Sequence, residues 1–131
     1  MNDKQQYNAL VDIIDEAGVG VLATVDTENR PRVRWMTAAT EKSRDGAVFT
    51  VSYRNAGKIS QLEHNPHTQW LFSAGGKNAI VDGQTHVVDN PAVKAGVMEL
   101  LGSRLARFWE QDIDPEDIVV LETIVGEVHI Q

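Results

Sequence analysis

The chain has 131 residues, a formal charge of −7 and no cysteine. An excess of carboxylates repels polyanions, which argues against nucleic-acid binding, and without a thiol there is no disulfide, cysteine nucleophile or thiolate metal site. The polar start Met1-Asn2-Asp3-Lys4-Gln5-Gln6, and the lack of any apolar run near the ~18 residues of a spanning helix, predict a cytoplasmic protein with no membrane segment and a single domain over 1–131.

In chain order, Tyr7, Leu10, Val11 and Ile14 recur at helical spacing and predict an amphipathic helix ending before Gly18. Val19 to Val25 reads as a strand, with Val19, Val21, Ala23 and Val25 on one face and Leu22 and Thr24 on the other. Asp26 to Arg30 is turn material. Pro31 to Thr37 is a second strand with Val33 and Trp35 on one face and Arg32, Arg34 and Met36 on the other. Ser43-Arg44-Asp45-Gly46 turns the chain into the β-rich run Ala47 to Ser52. Asn55 is the expected N-cap of a short helix that buries Ile59 and Leu62. It stops at Asn65-Pro66, because the residue before proline avoids helical dihedrals. His67 to Ser73 and Asn78 to Val88 are strands turning about Gly75-Gly76, with Gly83 a bulge or close-approach point. Asp89-Asn90-Pro91 fits an N-cap followed by proline in the first turn of a helix with the apolar stripe Val93, Val97, Leu100 and Leu101, closed by Gly102. A second short helix carries Leu105, Phe108 and Trp109 as far as Asp114-Pro115, and Ile118 to Ile130 is the last strand. About six strands with helical cover make this a mainly β protein, an antiparallel barrel or sheet.

One stretch gathers chemistry. Arg34, Thr50, Ser52, Asn55 and Lys58 bring a guanidinium, hydroxyls, an amide and an ammonium into one hairpin and the helix start after it. Those are the donors that hold a phosphate dianion. Arg32 and Arg34 read equally well as solvated charges on an exposed strand face. Pro66 separates His64 from His67, so no metal pair forms there and no metal site is expected. No Gly-x-Ser-x-Gly elbow, dinucleotide fingerprint or phosphate-binding P-loop occurs, so no catalytic residue can be assigned. Trp35, Trp70 and Trp109 read as core or interface residues.

The order of Gly20-Val21-Leu22-Ala23-Thr24-Val25-Asp26, Arg30-Pro31-Arg32-Val33-Arg34-Trp35-Met36, Val48-Phe49-Thr50-Val51 and Lys58-Ile59-Ser60-Gln61-Leu62-Glu63-His64-Asn65-Pro66 resembles the pyridoxamine 5'-phosphate oxidase-like family of FMN-binding split barrels, in particular its general stress protein branch. The likeness runs more loosely through Val81-Asp82-Gly83 to the terminal strand. It implies a six-stranded antiparallel split barrel, a homodimer, and FMN in each of two grooves at the subunit interface. By the same resemblance, Arg34, Trp35, Met36 and Thr37 contact phosphate and flavin ring, Phe49, Thr50 and Ser52 supply the strand-three anchor, and Lys58 binds phosphate. Asn78 falls at the position of a ring-contacting glutamine. Trp109 either reaches over the partner's flavin or simply packs. Where the family often has a second cation before the lysine, this chain has Gly57, leaving more of the phosphate charge to Arg34 and Lys58. The Trp- and Arg-bearing C-terminal segment of true pyridoxamine phosphate oxidases has no counterpart, so that specific activity is not expected.

The function implied is an FMN-dependent oxidoreductase acting on an unknown small molecule, since a flavin supplies the redox chemistry and the protein positions it. The alternatives are a flavin-binding or stress-response module without turnover, a split barrel that takes deazaflavin or haem, and an empty barrel serving as a dimeric interaction protein.

Overall fold

A computed structural model describes residues 3–107 and 114–131. Helix α1 (Asp3–Ala17) precedes β1 (Val19–Val25), β2 (Pro31–Thr37), β3 (Ala39–Glu41) and β4 (Arg44–Tyr53); α2 (Gly57–His64) leads to β5 (His67–Ala74) and β6 (Lys77–Val88); α3 (Pro91–Leu101) and two short 3₁₀ turns, Gly102–Arg107 and Pro115–Asp117, lead to β7 (Ile118–Ile130). Every strand pairing among the described residues is antiparallel, in the order β2-β1-β5-β6-β7-β4-β3. The sheet curls until β2, at one end, stands beside β4 near the other without pairing to it. That unpaired seam is the split of a half-barrel.

Seven strands are present where six are expected. The addition is β3, whose three residues are too few to show a period in sequence. For the same reason β4 starts earlier than Ala47: the turn falls before Arg44, which pairs with Glu41 across the hairpin and forms an ion pair with Glu122 at 3.1 Å.

Three apolar clusters position the elements. On the inner face, Leu22, Val48, Trp70, Phe72, Val81 and Val128 pack with Leu10, Ile13 and Ile14 of α1. Ile13, not the expected Val11, completes the buried stripe of that helix. Trp70 and Phe72 are fully buried and stacked, with centroids 5.1 Å apart. At the far end of the barrel, Leu62 of α2 meets Val119 and Leu121, with Ile59 and Val87 beside them. On the outer side of β4 and β7, Phe49, Val51, Ile118 and Val120 lie under Val97 and Leu101 of α3. Leu100, expected in that stripe, is instead 39% exposed.

Strand β7 does not alternate simply, and its bulge explains why. Asp82 pairs with Glu127 but Gly83 pairs with Val125, so Gly126 is extra. The inner residues of β7 therefore switch from Val128 on one side of the bulge to Thr123, Leu121 and Val119 on the other. A Cβ on Gly83 would lie 2.4 Å from the Ile124 carbonyl oxygen, which is the close approach its sequence position suggests. Inside the barrel, the Thr68, Thr85 and Thr123 hydroxyls form a chain with 2.7 Å steps, and Trp70 Nε1–H donates to Thr123 at 2.9 Å. These groups leave water together, so each needs the others.

The helix ends divide. Asn90 caps α3 as expected, its Oδ1 accepting from the N–H groups of Ala92 and Val93. Asn55 does not cap α2. The capping position is Ala56, which offers no side-chain acceptor, so no side chain caps the N–H groups of Gly57 and Lys58, while the Ile59 N–H donates to the Ala56 carbonyl at 3.1 Å. The short helix expected around Leu105 is the 3₁₀ turn Gly102–Arg107, with Leu105 buried. Phe108 and Trp109 lie outside the described residues.

Candidate anion-binding groove

The split opens as a groove of about 730 Å³ lined by Asp26, Arg32, Arg34, Gly57, Lys58 and Gln61, with Pro31 and Val33 at its margin. Strand β2 supplies Arg34. Its neighbours Met36 and Leu22, on the same inner face, are buried, so the guanidinium leaves the core at the seam. Arg34 Nη1 donates to the Leu22 carbonyl at 3.1 Å, and Nη2 donates to Gln61 Oε1 at 3.2 Å. Lys58, in the first turn of α2, donates from Nζ to Ser52 Oγ at 3.0 Å, and Ser52 donates in turn to the Tyr53 carbonyl.

Both cations are uncompensated. Neither has a carboxylate partner among the ion pairs of the described residues. Burial pulls both below their ordinary pKa values, and Arg34 pushes the Lys58 ammonium down further. Two half-buried positive groups that repel each other across a groove lower their free energy when an anion enters. The bare N-terminus of α2 adds N–H donors at the same place.

Arg32 belongs to a different unit. Asp26 Oδ2 accepts from Arg30 Nε and Arg32 Nε at 3.1 Å each, and Asp26 Oδ1 accepts from the N–H groups of Glu28 and Arg30. The Arg30 backbone bond is the largest influence, followed after the opposing effect of burial by the Glu28 bond and the two guanidiniums, and together they hold the Asp26 carboxyl at about 2. This is a closed turn motif that leaves Arg32 spent.

The residues expected at the site are thus only partly brought together. Arg34, Ser52 and Lys58 converge. Thr50 lies one inward position from Ser52 on β4, fully buried, with no hydrogen-bond partner for its Oγ1 among the described residues. Phe49 points to the opposite side of β4, beneath α3. Trp35 is 64% exposed on the outer face of the sheet, while Met36 and Thr37 are buried. Asn78 is exposed at the start of β6, whereas α2 packs against that strand's far end at Val87. Trp109 lies outside the described residues. Sequence reading missed Gln61 as a groove residue and the buried Thr24 behind it. The available signal was helical spacing, because Gln61 follows Lys58 by three and so shares its face.

The outer face of the sheet carries two further features. Val33, Trp35 and Leu71 are 68%, 64% and 43% exposed, with Val21 between Trp35 and Leu71 in the pairing. Beyond them, Asp82, Glu127 and His129 form a solvent-facing polar group, with Gln69 donating to Asp82.

A curled antiparallel sheet with an unpaired seam defines a class of half-barrel proteins. The chain belongs to the pyridoxamine 5'-phosphate oxidase family, whose model matches residues 8–131. Similar solved structures agree in fold. General Stress Protein 26 from Bacillus anthracis str. Sterne is 21% identical with a TM-score of 0.77, over 99% of this chain and 94% of its own. An FAD-binding protein from Mesorhizobium loti is 17% identical with a TM-score of 0.75, over 99% and 94%. A pyridoxamine 5'-phosphate oxidase-related, FMN-binding protein from Nostoc punctiforme PCC 73102 is 14% identical with a TM-score of 0.75, over 94% and 81%. No curated protein sequence matches the chain significantly. No helix among the described residues is long and apolar enough to cross a membrane.

Proposed function

We propose that the protein binds FMN, with the phosphate in the groove between Arg34 and Lys58, and that it is an oxidoreductase acting on a small molecule. The observation that carries this is the pair of half-buried cations, neither of them ion-paired to a carboxylate among the described residues. The donor set suits a phosphate: a guanidinium with free N–H groups, an ammonium, the Ser52 hydroxyl and the uncapped first turn of α2. Family membership and the flavin-binding proteins of the same fold give that phosphate its most economical owner.

Bound FMN would supply hydride or electron transfer. The chain's own part is to bind and orient. Arg34 and Lys58 fix the phosphate, and β2, an edge strand with one side unpaired among the described residues, offers backbone groups to the ring. The exposed apolar face of Val33, Trp35 and Leu71 suits a second copy of the chain, which makes the working unit a homodimer. A visible spectrum of the purified protein, followed by titration with FMN, tests the reading. Stoichiometric uptake that is weakened in the Arg34→Ala, Lys58→Ala double variant supports it, and no uptake overturns it. Anaerobic reduction of the loaded protein by NADH or NADPH, then reoxidation by candidate acceptors, separates an enzyme from a flavin-binding module.

A further inference from the structure

We propose that Gln61 is the positioning residue of the phosphate site: it holds the Arg34 guanidinium in place without neutralising it. This rests on the reading of the groove as a flavin phosphate site and goes beyond it by assigning the residue that keeps the site selective for an anion.

Gln61 Oε1 accepts two hydrogen bonds, from Thr24 Oγ1 at 2.6 Å and from Arg34 Nη2 at 3.2 Å. Arginine has only donors, so the amide orientation is fixed: its oxygen faces Arg34 and its NH₂ group faces elsewhere. Thr24 is 1% exposed and sits on β1, Arg34 on β2 and Gln61 on α2, so one carbonyl oxygen joins the two strands to the helix that carries Lys58. The Leu22 carbonyl holds the other Nη. With Nη1 and Nη2 each donating once, the guanidinium is fixed in plane and about three of its five N–H groups remain for a ligand.

The choice of amide over carboxylate matters. A glutamate here would accept the same bond from Arg34, but as an ion pair. That would satisfy the guanidinium internally and set a negative charge against an incoming phosphate, as Asp26 already does for Arg32. Glutamine supplies the geometry and leaves the charge unspent.

The substitution Gln61→Glu separates this role from a purely structural one. FMN and riboflavin are titrated by flavin fluorescence into wild type, Gln61→Glu, Gln61→Leu and the Arg34→Ala, Lys58→Ala double variant, with thermal unfolding of each flavin-free protein alongside. Gln61→Glu is expected to weaken FMN binding at least 30-fold on charge grounds. Riboflavin, which lacks the phosphate, should bind unchanged, and Tm should hold or rise. Gln61→Leu should lose about 5- to 10-fold for FMN, because the guanidinium keeps its charge but is no longer held in place. If the double variant loses FMN while both Gln61 variants bind it within about twofold of wild type, the Gln61 assignment is wrong and the phosphate site stands. If the double variant binds FMN as wild type does, the phosphate site itself falls, and Gln61 with it. A fall in Tm for Gln61→Glu, with FMN and riboflavin weakened equally, overturns the proposal in favour of a structural brace.

Discussion

Replacing Lys58 with methionine should leave the flavin-free protein as stable as before and remove much of its affinity for FMN. The ammonium is disfavoured where it stands, by burial and by Arg34, and its one recorded partner is the neutral Ser52 hydroxyl. Methionine keeps the length and apolar stem but removes the charge. The lost hydrogen bond costs about 1 kcal/mol, and relief of repulsion and desolvation offsets a comparable amount, so the net change should lie within about 1 kcal/mol of zero. A charge-assisted bond to phosphate is worth about 1.5–3 kcal/mol, so FMN affinity should fall by about 10- to 150-fold. Thermal unfolding reads both effects. FMN at a hundred times its Kd stabilises by about 2.7 kcal/mol, which for a chain of this size is about 8–16 °C in Tm, and the variant should lose about half to nine-tenths of that shift at the same concentration. A variant destabilised by more than about 2 kcal/mol without ligand, with the FMN-induced shift intact, would show that Lys58 is a structural residue and would refute the anion-site reasoning.

Four further outcomes follow from particular contacts. Gly57 has open space where a Cβ would go, so Gly57→Arg can place a third cation at the groove. Screened attraction of about 1 kcal/mol should tighten FMN about fivefold by titration, with riboflavin unaffected. Gly83→Ala drives a Cβ against the backbone oxygen of Ile124, and because neither strand can yield without opening the β6–β7 ladder, urea unfolding should register a loss of at least about 3 kcal/mol. The Asp26 carboxyl is held at about 2, below its ordinary 3.8, so its contribution is complete above the ordinary value and is lost as pH falls through the folded one. Asp26→Asn should therefore be less stable than wild type at pH 6, with the gap closing towards pH 2; a gap independent of pH would contradict that. Trp35→Asp on the exposed outer face should convert a dimer to a monomer by light scattering, and a wild-type chain that is already monomeric would remove the basis for a shared site.

Much of the fold was legible because its periods are long and clean. β1 and β5 alternate over seven or eight residues, and Asn90-Pro91 states the start of α3 in two residues. What escaped has physical reasons. The three residues of β3 cannot show a period, the charged start of β4 resembles a turn, and the bulge at Gly126 hides the inner face of β7. Asn55 has the chemistry of a cap, but the chain turns one residue later. The site was legible as a set of residue types along the chain and less so as a place. Alternation on β4 puts Phe49 and Ser52 on opposite faces, so side chains three residues apart serve different compartments. Gln61 escaped because its spacing from Lys58 places it on the same helix face but says nothing of the strand groups that its oxygen binds.

The buried threonines have a consequence for how the chain finds this structure. The pairing of β6 with β7 carries an extra residue at Gly126, so its register has to be held on each side of that bulge. The hydroxyls of Thr68, Thr85 and Thr123 and the Trp70 indole resist a slip, since moving β7 by one residue carries Thr123 to the other face and leaves the buried Trp70 N–H without its acceptor. They act as an alignment key for three strands. Because β4 is hung on β7 and α2 follows β4, the same key sets how far Lys58 stands from Arg34, and so an interior with no access to ligand fixes the width of the opening where one would bind.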